Sequence, residues 1–247
     1  ELKTKGVLVV GLADIISSEK ITTSPAKKAG LKIGDKVIAI DNKPINNISD
    51  IIYYADKNKI KEYIYTIDRD NQKIQITITP VESYKTDDIK FGFWARDNIA
   101  GIGTITYINP ENYDFGAIGH GITDTDTGKL IDIDTGIVAK AQVTNVKVGK
   151  KGEPGEIVGY ILKKDGGLGE VEKNTKFGIF GKIDSSKINF FSNNLIEVGN
   201  RNEVHTGAAT IYATVDNEVM EYDIEIIKIY RQYKPSPKSM VIKIVDE

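Results

Sequence analysis

The sequence predicts a mainly β protein built of two blocks, and three observations predict it. Residues 1 to 81 mix β-branched runs with two short segments of helical character. From residue 88 onward helical periodicity almost disappears, and short Ile/Val/Tyr/Phe runs recur between Gly, Asn and Asp. Between the two, Thr79 to Asp88 has a proline, mixed charge and no periodicity, and reads as a linker. At 247 residues the chain is long enough for one or two domains with a substantial core.

In the first block, Gly6-Val7-Leu8-Val9-Val10-Gly11 is a β-branched run suited to a buried strand. Ser24-Pro25-Ala26-Lys27-Lys28-Ala29-Gly30 sets an N-cap serine, a proline at the first helical position and a terminating glycine around one short helix. Lys36 to Ile40 is a strand ended by the turn Asp41-Asn42-Lys43-Pro44. A second helix follows, capped by Asn47 or Ser49, with Ile51, Ile52 and Ala55 on one apolar face. Glu62 to Asp68 and Lys73 to Thr79 form a hairpin around Arg69-Asp70-Asn71-Gln72, with Ile74, Ile76 and Ile78 alternating. In the second block strands are expected at 103–108, 136–143, 156–162, 177–183, 208–215, 222–230 and 240–245, a pattern that suits an all-β barrel or sandwich. Asp124-Thr125-Asp126-Thr127-Gly128 is echoed at Asp132-Ile133-Asp134-Thr135-Gly136, as successive turns rather than a solenoid.

Composition removes several function classes. The 33 Lys+Arg nearly balance 35 Asp+Glu, for a net charge of −2, so the basic excess of a nucleic-acid binder is absent. The longest apolar stretch, Gly6 to Ala13, is far short of the roughly 18 residues that a membrane span needs. The chain opens at Glu1-Leu2-Lys3 inside what reads as folded sequence, so membrane contact is expected only through an N-terminal anchor ahead of it. With no cysteine there is no disulfide, zinc–thiolate site, iron–sulfur cluster or thiol nucleophile. No motif calls for a cofactor.

Ser24-Pro25-Ala26 with Ala29-Gly30-Leu31-Lys32-Ile33-Gly34-Asp35-Lys36-Val37-Ile38-Ala39-Ile40-Asp41 resembles the PDZ modules of bacterial proteases. PDZ domains bind a peptide as an added strand beside a helix, here the helix expected at Ser49–Asn58. By that resemblance the loop receiving the peptide carboxylate lies before Glu1, so the groove is expected to be incomplete or occluded.

Histidine is scarce: only His120 and His205. His120 lies in Asp114-Phe115-Gly116-Ala117-Ile118-Gly119-His120-Gly121, where the flanking glycines leave the ring uncrowded and a substrate backbone could approach. Taken alone, the same glycines equally make a tight turn around a structural histidine. His205, in Asn202-Glu203-Val204-His205-Thr206-Gly207, reads as a surface turn residue. Asp124-x-Asp126-x-Gly128 has the start of a calcium loop without its third ligand or distal glutamate, so no metal site is expected and the aspartates read as turn formers.

Several motifs together resemble the stage IV sporulation protein B (SpoIVB) peptidases: Ile99-Ala100-Gly101-Ile102-Gly103-Thr104, Gly116-Ala117-Ile118-Gly119-His120, Asp124-Thr125-Asp126-Thr127, Phe177-Gly178-Ile179-Phe180-Gly181 and Lys238-Ser239-Met240-Val241-Ile242-Lys243-Ile244-Val245-Asp246. The resemblance implies a PDZ domain at 1–81 and, at 88–247, a Ser/His/Asp peptidase domain with a chymotrypsin-like double β-barrel. It makes His120 the general base and Asp246 the orienting carboxylate. The nucleophile belongs in a Gly-Met-Ser-Gly-Ser-Pro stretch beyond Glu247. None of Ser185, Ser186, Ser192, Ser236 and Ser239 has that context, so the chain as it stands is expected to be inactive. The resemblance further implies export to the forespore intermembrane space, self-cleavage, and cleavage of a membrane-bound sporulation regulator that triggers sigma-factor processing. The alternative is a non-catalytic PDZ/β module that holds a peptide without cutting it.

Overall fold

The computed structural model describes residues 1–55, 60–153, 155–162, 166–191, 195–215, 218–236 and 238–245. The chain is mainly β and divides into two compact units, Glu1–Ile188 and Asn189–Glu247.

One eleven-stranded antiparallel sheet runs through the first unit. From one end its order is Tyr107–Ile108, Asp114–Ile118, Gly178–Ile183, Gly169–Thr175, Ile133–Val138, Leu2–Leu12, Lys36–Ile40, Tyr63–Arg69 and Gln72–Ile78; Phe93–Ile99 pairs with Leu2–Leu12, and Lys43–Pro44 with Lys36–Ile40. Both ends are free, so among the described residues no closed barrel forms, and the double-barrel expectation finds no closing strand pair. Leu2–Leu12 is the hub. Its start pairs with Ile133–Val138 and its middle with Lys36–Ile40. The strand changes partner at Gly6, where φ is +80° and a Cβ would stand 2.5 Å from the Val37 carbonyl oxygen.

The PDZ-like block has the apolar core that its alternation demands. Tyr63, Tyr65 and Ile67 point inward from one strand and join Val7, Val9, Val37, Ile40 and Ile78, all fully buried. Each such side chain contributes about 1.5–3 kcal/mol on burial. The short helix is Pro25–Lys28, and Ser24 bonds the Asp14 carboxylate instead of capping it. Of the two candidate caps for the second helix, Asn47 is the one: it accepts from Asp50 N while Asp50 reaches back to Asn47 N, a capping box at the head of Ile48–Tyr54. The hairpin turns at Asp70 and Asn71, both at positive φ, as a two-residue turn between twisted strands requires.

The stretch read as a linker is folded. Val81–Glu82 pairs with Ile89–Lys90, and Ser83 bridges to Ser17. A two-residue ladder is too short to print a periodicity. Beyond it, Phe93–Ile99 pairs antiparallel with Leu2–Leu12, Phe91 and Phe93 stack edge-on against Tyr65, and the Ile48 amide at the head of the helix donates to Asp97 Oδ2 at 2.8 Å. A strand of the chain itself thus pairs with Leu2–Leu12 beside the Ile48–Tyr54 helix.

The second unit is a three-stranded meander, Gly207–Val215, Glu218–Ile229 and Met240–Ile244. Ile224 is its one buried apolar side chain among the described residues.

Candidate active site

His120 lies two residues past Asp114–Ile118, a strand zipped to Gly178–Ile183 from Asp114↔Lys182 to Ile118↔Gly178. The next amide, Gly119 N, donates to the Phe177 carbonyl at 3.0 Å, so the turn before Gly178 holds the backbone that presents the histidine. The imidazole is exposed. Its Nδ1 lies 3.0 Å from the Gly121 carbonyl oxygen. A carbonyl only accepts, so this contact needs the Nδ1–H tautomer and leaves Nε2 as the free basic nitrogen.

The two flanking glycines have different reasons. A Cβ on Gly119 would meet nothing within 4 Å, so that side of the ring is open as expected. A Cβ on Gly121 would stand 2.3 Å from the Thr175 carbonyl oxygen and 2.4 Å from Leu130 Cδ1. Gly121 is therefore required by the protein's own packing, not by an approaching substrate.

Residues 122–131 return as a tight hairpin. Its rungs are Ile131 N to Ile122 O at 3.1 Å, a Thr123↔Leu130 bridge, and Asp124 N to Lys129 O at 2.9 Å. Two side chains lock it. At the base, the Asn174 carboxamide accepts from Ile122 N and donates to the carbonyls of Ile122 and Ile131, all at 2.8 Å. At the tip, Asp124 is 1% exposed, and its Oδ1 accepts from Asp126 N, Thr127 N and Thr127 Oγ1. Its Oδ2 accepts from Arg96 at 3.1 Å. Asp124 is the turn former, Asp126 pairs with Arg96 instead, and among the described residues no group of three or more acidic or histidine side chains could hold a metal. Sequence reasoning missed Asn174 as a site residue, since a single asparagine in a charged strand carries no signal of its partners.

The hairpin faces the PDZ-like block across a charged seam. Lys129 pairs with Asp70 at 2.8 Å, Lys36 with Asp132 at 3.0 Å, and Arg96 with Asp124 and Asp126. Lys129 holds the Asp70 carboxyl below the usual carboxylate range. A cleft of about 410 Å³ runs along the seam, lined by Thr4, Leu8, Lys36 and Asp132 among others.

Asp246 lies outside the described residues. His205, in the second unit, is an exposed turn residue with Nδ1 2.8 Å from the Glu203 carbonyl oxygen. The Ser186 amide, and after it Ser186 Oγ, donate to Asp184, holding that carboxyl low in a local turn.

Residues 87–247 match the SpoIVB peptidase S55 family, and residues 18–59 match the PDZ domain. Over 91 residues the chain is 37% identical to a protein of Enterococcus faecalis named "Probable protease eep", a match that covers 37% of this chain and 19% of that protein. No helix among the described residues is long and apolar enough to cross a membrane. The chain belongs to the SpoIVB peptidase S55 family and carries a PDZ domain ahead of the peptidase region.

Proposed function

We propose that the chain holds the PDZ domain (1–81) and the peptidase region (88–247) of a sporulation serine endopeptidase. The enzyme acts in the forespore intermembrane space, held to the membrane by an N-terminal anchor, and cleaves itself and a membrane-bound regulator to trigger sigma-factor processing. His120 Nε2 takes the proton of the attacking serine, and Asp246 takes over the Nδ1–H from the Gly121 carbonyl, orienting the ring and stabilising the imidazolium. The serine comes from the Gly-Met-Ser-Gly-Ser-Pro stretch that follows Asp246 in the family pattern, together with its oxyanion amides. The chymotrypsin-like double β-barrel belongs to this reading as what the family pattern implies.

The observation that carries the reading is the exposed His120 imidazole, beside a backbone held by the Gly119–Phe177 bond and the 122–131 hairpin, inside the segment that matches the peptidase family. The rival peptide-holding module has less support, because a strand of the chain itself sits beside the PDZ helix. A chain extended through the family serine should label with a fluorophosphonate, and His120→Ala should abolish labelling without moving the melting temperature. Labelling retained by His120→Ala would overturn the assignment.

A further inference from the structure

We propose that Arg96 is a positioning residue for His120, acting through the 122–131 hairpin and tying it to the strand beside the PDZ helix. The proposal rests on the reading of His120 as the base.

Arg96 projects from a rigid origin. Its strand is in register with the hub strand, Leu8 opposite Arg96 and Val9 opposite Ala95. The next residue, Asp97, is tethered to the Ile48 amide, and Phe93 and Ala95 pack on the PDZ core. From there one guanidinium nitrogen reaches Asp124 Oδ2 at 3.1 Å and the other Asp126 Oδ2 at 3.4 Å.

Asp124 gives this contact its leverage. A carboxylate 1% exposed keeps its charge only when paired and hydrogen-bonded. The turn amides and the Thr127 hydroxyl bond one oxygen, and Arg96 serves the other. Without Arg96 the second oxygen must find water, and the tip of the hairpin has to move outward to supply it. The rungs then carry that movement to Ile122, two residues from His120. The remaining pairs on the seam, Lys129–Asp70 and Lys36–Asp132, each have a carboxylate at least two-thirds exposed, and water screens them. They cannot substitute.

The two histidines make the test clean, because each gives one imidazole C2–H resonance in the NMR spectrum of this chain. Arg96→Ala should shift and broaden the His120 resonance and leave that of His205 in place. Arg96→Lys, which keeps a cation without the fork, should restore part of the shift. Arg96 is partly exposed, so the Ala variant should fold; Asp124→Asn, which keeps the turn acceptor and removes the charge, provides an independent second variant. A His120 resonance unmoved in folded Arg96→Ala, or both histidines moving together, would overturn the proposal. In the serine-containing chain the same Arg96→Ala change should slow fluorophosphonate labelling by roughly ten- to a hundredfold, the cost of a misplaced catalytic group. The resonance reports hairpin geometry whether or not His120 is the base. Failure of the base assignment would instead appear as labelling retained in His120→Ala.

Discussion

The PDZ-like block and the sheet that carries His120 share one set of strands and are held by different means. In the PDZ-like block, large side chains interlock: Val7, Val9, Val37, Tyr63, Tyr65 and Ile67 exclude all solvent. Around His120, Phe115, Val171 and Ile183 are buried, yet Gly116, Gly169, Gly178 and Gly181 occupy the same paired strands. There the backbones close on one another, and polar side chains, Asn174 and Asp124, fix the loop. Apolar packing supplies stability; directional hydrogen bonds supply placement. A substitution in the first region should therefore unfold the protein, and one in the second should displace His120 at smaller cost.

The largest effect is expected in the PDZ-like block. Arg69 makes two 2.7 Å bonds to the two oxygens of Asp35, which is 2% exposed. Arg69→Leu leaves that buried carboxylate without a counter-charge, bonded only to the Lys32 amide, and should destabilise by about 3–5 kcal/mol in urea unfolding. Asn174→Ala should cost less, about 1–3 kcal/mol for the unpaired groups it leaves, but should move the His120 resonance where Arg69→Leu does not. If Asn174→Ala lowered stability as much as Arg69→Leu and left the resonance alone, the division of labour would be wrong.

The smallest expected effect has the opposite sign. Tyr65 is fully buried, and its hydroxyl has no hydrogen-bond partner among the described residues. Tyr65→Phe should be neutral or stabilising, by up to about 1 kcal/mol. Burial, and after it the charges of Tyr63 and Asp41, push the phenol well above its ordinary 10.0. The unfolded chain ionises at the ordinary value and the folded one resists, so stability is full below pH 10.0 and falls as the pH rises past it. Tyr65→Phe should flatten that part of the alkaline stability curve.

What could be read in the sequence was what local chemistry dictates. The Pro25 helix start, the Asp70-Asn71 turn and the Tyr63–Arg69 hairpin each follow from residues that touch their neighbours along the chain. The turn role of Asp124 was legible for the same reason. Phe93–Ile99 was not, because Trp94, Arg96 and Asp97 break the apolar alternation. Nor was Gly169–Thr175, where Glu170, Glu172 and Lys173 lack strand propensity and the partner Gly178–Ile183 supplies the pairing. Asn174 acts on Ile122 and Ile131, far away in the chain, so nothing local marks it. His120 was singled out by its motif, while the reason for Gly121 required the Thr175 carbonyl to be seen beside it.

The central claim is that the folded backbone presents His120 with Nε2 bare and basic. Imidazole nitrogen NMR at a pH where the ring is neutral tests it directly, since protonated and bare ring nitrogens resonate far apart. The account predicts that His120 carries its proton on Nδ1, bonded to the Gly121 carbonyl, with Nε2 unprotonated. A His120 ring protonated on Nε2 would contradict it.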